Sequence, residues 1–299
     1  MTPLDQAPTL MRHASTVEEQ SALLAGWNQH YCQLSRGAFS GMLCQSTLPD
    51  AYLFREKTNR SLLQSGIVGA EVLAVGLPLA ITGPAKFCGS ACTDHQLHVF
   101  SGGEGFEFHT PSGLDIVGLV IPRATLFRHL DDEDAEFVTL RLRQAHLMDI
   151  SPELFQNLAR GMLDIMGNRG SITDVMSLLA DAFLTNNPVA PPTLHRNLVA
   201  QLRDIATDET WDQPPSIPQI CAALGVSRRT LQYALQKELG MSPVEYMRAL
   251  RLNAARTCIL QGASVTEAAT RSGFWHFGRF AQDYRILFHE RPSATRSKV

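Results

Sequence analysis

The chain has 299 residues, 44% of them hydrophobic and 18% charged, which is enough apolar material for buried cores in two domains and excludes a disordered chain. No run approaches the roughly 18 apolar residues of a membrane helix, the amino terminus lacks the basic-then-apolar order of a secretory signal, and the six cysteines form no CxxC pair, so a cytoplasmic protein with free thiols is expected. Residues 1–192 carry 12 Lys+Arg against 20 Asp+Glu, whereas residues 216–299 carry 12 against 5, which makes the last part a candidate polyanion binder.

In chain order, residues 40–121 hold short apolar runs separated by Gly and Pro. In LHVF…FEFH the apolar and polar residues partly alternate around SGGEG, the pattern of a hairpin in an antiparallel sandwich or barrel. After Pro122 the spacing turns helical in PRATLFRHL, PELFQNLARGMLDIMG and SITDVMSLLADAFLTN, with Ser151 and Ser171 as N-caps. The stripe of Leu154, Leu158, Met162 and Ile165 with Val175, Leu178, Leu179 and Phe183 predicts a helical hairpin, with a twofold contact as its alternative role. This order predicts an α+β front domain.

His95, His98 and His109, with Glu104 and Glu107, form the densest group of potential ligands in the front part. His95 and His98 are three apart, so a strand would turn them to opposite faces; surface or core histidines are expected, with no metal and no cofactor. Trp27, Tyr52, Phe54, Phe87, Phe100 and Phe106 either line an apolar pocket or fill ordinary core. No motif names an effector-binding residue.

The clearest break is TNNPVAPP, residues 185–192, where Pro and Asn disfavour helix and strand. The expected layout is a front domain over 1–184, a linker over 185–192 and a back domain over 193–299. The back domain opens on a helix with Leu194, Leu198, Leu202 and Ile205 on one stripe. SIPQICAALGVSRRTLQYALQKEL, residues 216–239, then reads as helix, Gly225 turn and a second helix capped by Ser227. Ile220 and Leu224 form the inner face of the first helix, Ala222 and Ala223 allow close packing, and Leu231, Leu235 and Leu239 face inward from the second. Arg228, Arg229, Gln232 and Tyr233 point outward, and Arg and Gln are side chains that pair with base edges through two hydrogen bonds.

Residues 242–262 predict a long helix opened by a Ser242/Glu245 capping box and closed by Gly262, with Tyr246, Met247, Leu250 and Ala254 inward. About 18 residues at about 1.5 Å each make a strut of about 27 Å, against about 34 Å between successive major-groove openings. Residues 264–288 repeat the helix-turn-helix plan, with a Ser264/Glu267 capping box, Ala268 and Ala269 packed closely, Gly273 at the turn, and an inner stripe of Phe277, Phe280 and Tyr284. His276, Gly278, Arg279 and Gln282 point outward.

With those strings in view, residues 216–296 resemble the DNA-binding domain of the AraC/XylS family of bacterial transcription regulators, through LGVSRRTLQ, GMSPVEYMRALRLNAAR, SVTEAATRSGF and GRFAQDYRILFHERPSATR. FWHFGRFAQDYRILFHERPS further resembles the branch of ethanolamine-operon-type regulators. The resemblance implies a seven-helix domain that binds duplex DNA through two units, with Arg229, Gln232, Arg279 and Gln282 at base- or backbone-contacting positions. It also implies a cupin-like β domain in front that holds a small effector or a dimer contact. His289 stands where the family usually has Gly, which puts the final turn in question, and Gly278 offers no side chain to a groove.

The expectation is a sequence-specific transcriptional regulator, an activator and not an enzyme, acting as a homodimer on promoter DNA with RNA polymerase as a partner. The rival reading is a cupin-type metalloenzyme fused to a helical domain. No G-x-S-x-G, P-loop or G-x-G-x-x-G strand-helix turn supports other chemistry.

Overall fold

A computed structural model describes residues 9–24, 26–101, 105–143, 146–189, 195–208, 211 and 213–297. The chain divides into two compact units: Met1–Tyr31, Ser40–Asn59 and Leu63–Pro191 form the first, and Cys32–Phe39, Arg60–Leu62 and Pro192–Val299 form the second. No helix among the described residues is long and apolar enough to cross a membrane.

Apart from Cys32 and Gln33 of β2 and Leu62 of β5, which belong to the second unit, the first unit is built on strands β1 (Leu10–Ala14), β2 (Asn28–Gln33), β3 (Gly41–Leu48), β4 (Ala51–Thr58), β5 (Leu62–Ile67), β6 (Val72–Ile81), β7 (Lys86–Phe87), β8 (Ser90–Ala91), β9 (Gln96–Ser101), β10 (Gly105–Thr110), β11 (Leu114–Pro122) and β12 (Leu147–Asp149). Helix α1 (Val17–Leu23) lies between β1 and β2. Helices α2 (Arg123–Phe127), α3 (Asp132–Leu142), α4 (Pro152–Met166) and α5 (Ile172–Thr185) follow β11. One sheet has the order β1-β3-β4-β11-β6-β9-β12 and the other β2-β5-β10-β7-β8. The expected β module with trailing helices is therefore present. Three strands and two helices (β1, β2, β12, α1 and α3) were not anticipated.

Alternation along the strands sends side chains to two different cores. Leu53, Leu73, Val75, Leu77, Val117 and Leu119 leave the large sheet on the face that α4 and α5 cover. Leu43, Phe54, Ala74, Phe100, Ile116 and Val120 leave it on the other face and meet Phe87, Phe106 and Phe108 of the second sheet. Phe54, Gly118, Gly76 and His98 stand opposite one another across β4, β11, β6 and β9. A Cβ on Gly118 would sit 2.4 Å from the Phe54 ring, so only glycine lets that ring lie on the sheet.

Ser151 caps α4 by accepting from the Leu154 N–H at 3.1 Å. Ser171 holds the N-cap position of α5 but makes no side-chain cap bond. The expected hairpin stripe packs under the sheet: Leu158, Met162, Ile165, Val175, Leu179 and Phe183 are buried, and Leu154 and Leu178 are half-buried against the same core.

The second unit holds helices α6 (His195–Thr207), α7 (Ile217–Leu224), α8 (Arg228–Leu239), α9 (Pro243–Leu260), α10 (Val265–Arg271), α11 (Phe277–Phe288) and α12 (Pro292–Arg296). Leu198 and Leu202 are buried on α6 as its stripe predicts, while Leu194 lies outside the described residues. Within this unit Asn253, buried on α9, donates to the Gln33 carbonyl and accepts from the Gln33 N–H, each at 3.0 Å. The Gln33 side chain donates to the Leu287 carbonyl at 2.8 Å.

Four inward assignments in this unit are corrected. Ala222 and Ala223 are exposed, and Cys221 packs beside Ile220 instead. Ala254 is exposed and Ala255 is buried. Phe277, at the first position of α11, is 47% exposed, and the inner stripe is Phe280, Asp283, Tyr284, Leu287 and Phe288. Leu224 and Leu239 sit half-buried at helix ends.

Candidate nucleic-acid interface

The first helix pair is α7 and α8. Gln219 accepts from the Ser216 N–H at 2.9 Å and from its hydroxyl at 2.6 Å, which fixes the start of α7. Gly225 closes it at φ 64°, a left-handed conformation open to glycine at little cost. Ser227 then accepts from the Thr230 N–H at 3.1 Å and opens α8 two residues later. After that short turn α8 packs against α7 and buries Leu231, Ala234 and Leu235 on its inner face. Arg228, Arg229, Gln232 and Tyr233 are left exposed on its outer face, Tyr233 at 59%.

The second pair is α10 and α11. Ser264 accepts from the Glu267 N–H at 3.1 Å, but the return bond of the expected capping box does not form. Ala268 and Ala269 are fully buried, as their size predicts, under Phe280 and Tyr284. His276 is the N-cap residue of α11 and is exposed, together with Gly278, Arg279 and Gln282. Arg279 also reaches Asp283 one turn on, with Nε at 3.2 Å from Oδ1. Asp283 is buried and holds a second arginine, Arg248 of α9, at 3.7 Å. Sequence reasoning missed Asp283; a carboxylate four residues after Arg279 was the available signal.

Helix α9 carries both pairs. Its Ser242/Glu245 capping box is complete: Glu245 accepts from the Ser242 N–H at 3.0 Å, and Ser242 accepts from the Glu245 N–H at 3.3 Å. The Ser242 bonds hold the Glu245 carboxyl below its usual value. Further along α9, buried Arg256 donates to Glu290 and, at 3.2 Å, to the Tyr284 hydroxyl, while its guanidinium lies 4.8 Å over the Phe288 ring. Thr295 on α12 donates to Glu290 at 2.8 Å. Burial pushes the Tyr284 phenol up to about 12, so it acts as a neutral hydroxyl. His289 closes α11 at φ 59°. The turn therefore keeps the left-handed geometry that glycine would favour, and the side chain carries the strain.

A family profile for a helix-turn-helix domain matches residues 220–298. The chain is 39% identical over 85 residues to the "Probable thc operon regulatory protein" of Rhodococcus erythropolis, across 27% of this chain and 26% of that one. It is 37% identical over 94 residues to "XylDLEGF operon transcriptional activator 2" of Pseudomonas putida, across 30% and 60%. A solved structure of a probable AraC family transcriptional regulator from Rhodopseudomonas palustris shares 36% identity over 34% of this chain and 96% of that one, with a TM-score of 0.31. Residues 220–298 carry a helix-turn-helix domain similar to those of these operon regulators. These relatives are regulators of transcription, and the chain spans 26% and 60% of the length of the two curated ones.

The front-domain candidates fall into separate places. His98 is fully buried between Phe87 and Phe108, with ring centroids at 4.8 and 5.1 Å, and burial lowers its pKa to about 3. His95 lies in the turn before β9 at φ 62°, its ring 5.3 Å from Phe155. His109 is on β10, where burial, then Lys86, lowers it to about 4. Glu104 lies outside the described residues. Among the described residues no three or more His, Cys, Asp and Glu side chains gather as a metal site would require. The aromatic group does assemble: Trp27 packs edge-on against Phe54, Phe100 and Phe106 at 5.8, 5.0 and 5.6 Å, and Phe87 joins Phe100 and Phe106.

Proposed function

We propose that the chain is a sequence-specific DNA-binding regulator of transcription, an activator that binds promoter DNA as a homodimer and engages RNA polymerase. A small effector at a cupin-like front domain controls it. What carries the reading is the outward set on α8 and α11: Arg228, Arg229, Gln232 and Tyr233 on one, His276, Arg279 and Gln282 on the other, each exposed on a helix whose opposite face is core. Arginine and glutamine supply bidentate contacts to base edges, and the basic excess after Ser216 supplies phosphate contacts. The resemblance of FWHFGRFAQDYRILFHERPS to ethanolamine-operon-type regulators supports a place near that branch.

The logarithm of duplex affinity should fall steeply and linearly as log salt rises, because each phosphate neutralised releases counterions with a slope of about −0.9 per contact. Fluorescence anisotropy of a labelled promoter duplex between low and physiological salt measures it. A flat response overturns the reading.

A further inference from the structure

One end of the large sheet of the first unit forms an open mouth. The turn joining β3 to β4, the start of β6 and the end of β11 meet there, since Leu48 pairs with Ala51 and Pro122 with Val72. They surround a cavity of about 460 Å³, inside the range of about 300–1,000 Å³ typical of small-molecule sites. Its walls are mainly Leu48, Pro49, Val72, Val120, Ile121 and Pro122; the polar atoms come from Gln45, Thr47, Asp50 and Tyr52. The geometry points to a binding site in this mouth for a small uncharged molecule, with a ring or short aliphatic body and one hydroxyl or carbonyl group.

Charge sets that choice. Among the described wall residues Asp50 is the sole charged one, and it pairs with the exposed Arg128 at 3.4 Å, so the walls offer neither an anion nor a cation an unpaired partner to offset its lost hydration. A neutral guest loses far less hydration than an ion and covers apolar wall, at about 25 cal/mol per Å² removed from water. The floor ties the site to the core of the unit. Tyr52 accepts from the Trp27 indole N–H, and Trp27 packs edge-on against Phe54, Phe100 and Phe106. A guest that presses on Tyr52 therefore changes the surroundings of Trp27.

This site rests on the effector-controlled reading, so both are measured on the full chain. Trp27 is one of three tryptophans, and Trp211→Phe with Trp275→Phe isolates its emission. Benzyl alcohol and cyclohexylmethanol should change that emission saturably, and benzoate and benzylamine should bind at least tenfold more weakly. Thr47→Phe, at an exposed wall position, should weaken the neutral probes at least tenfold without unfolding the unit. The proposal is overturned by the absence of saturation with either alcohol, by equal or tighter binding of a charged probe, by undiminished binding to Thr47→Phe, or by a change of oligomeric state in that variant, which would make the mouth an interface. Salt-dependent duplex binding by the wild-type chain, run alongside without and with each alcohol, separates the two readings: its absence in every state sinks the regulator, and its presence without probe binding sinks only this site.

Discussion

His98 stands fully buried against Phe87 and Phe108 with neither ring nitrogen hydrogen-bonded to a protein group. Burial holds its pKa at about 3. The unfolded chain takes up that proton near 6.5, so between 6.5 and 3 the unfolded state binds more protons than the folded one. The histidine's contribution is complete above 6.5 and is lost as pH falls toward 3, by on the order of 4 kcal/mol. His98→Phe should flatten that acid limb in urea titrations followed at Trp27. A limb of unchanged slope would show that His98 titrates normally. Glu56 carries the opposite sign: it is buried with Gln20 and Tyr31 donating to it at 2.9 and 3.0 Å, and burial raises its pKa despite those bonds. It favours folding at low pH and weakens it as pH rises.

At the scale of elements, α9, α11 and α12 are locked by one buried ionic cluster. Arg256 is 3% exposed and meets Glu290, with the Tyr284 and Thr295 hydroxyls closing around it. Removing one member of a buried pair strands the other charge, at about 3–5 kcal/mol. Glu290→Ala should therefore raise amide hydrogen exchange through α11 and α12 by several hundredfold, while strands of the front sandwich exchange as before. Unchanged exchange in α11 would show that Phe280, Leu287 and Phe288 hold the helix without the ion pair. Much of this element scale was legible beforehand, because caps act over three or four residues: Ser151, Ser227 and Ser242 cap the helices expected of them, and Gly225 ends α7. The errors concern facing. Phe277, Ala222 and Ala254 obey helical spacing as well as the residues that are buried, and only the neighbour laid across each helix decides which side is covered.

For the whole molecule, two helix pairs on one 18-residue helix predict a bipartite DNA site. Arg229→Ala and Arg279→Ala should each weaken promoter binding by about 1–3 kcal/mol and relax sequence preference, at two places about one helical turn, or about 34 Å, apart. Selection of bound sequences from a randomised duplex pool, run with each variant, checks it. Relaxation at the same base pairs in both would end the two-groove arrangement. Asp283 should sharpen the Arg279 effect, since it orients that guanidinium from a buried position.

By itself the sequence determined what depends on near neighbours: the two capped helix pairs, the long helix between them, the basic excess after Ser216 and the change from strand to helix at Pro122. Tertiary structure decided the rest. Short strands such as β1 and β12 gain their hydrogen bonds from residues far along the chain, so their own spacing carries little sign of them. The grouping of Cys32–Phe39 with the helical unit rests on Asn253 and Leu287, more than 200 residues away. No local pattern encodes such a contact, because its free energy exists only once both segments have been brought together.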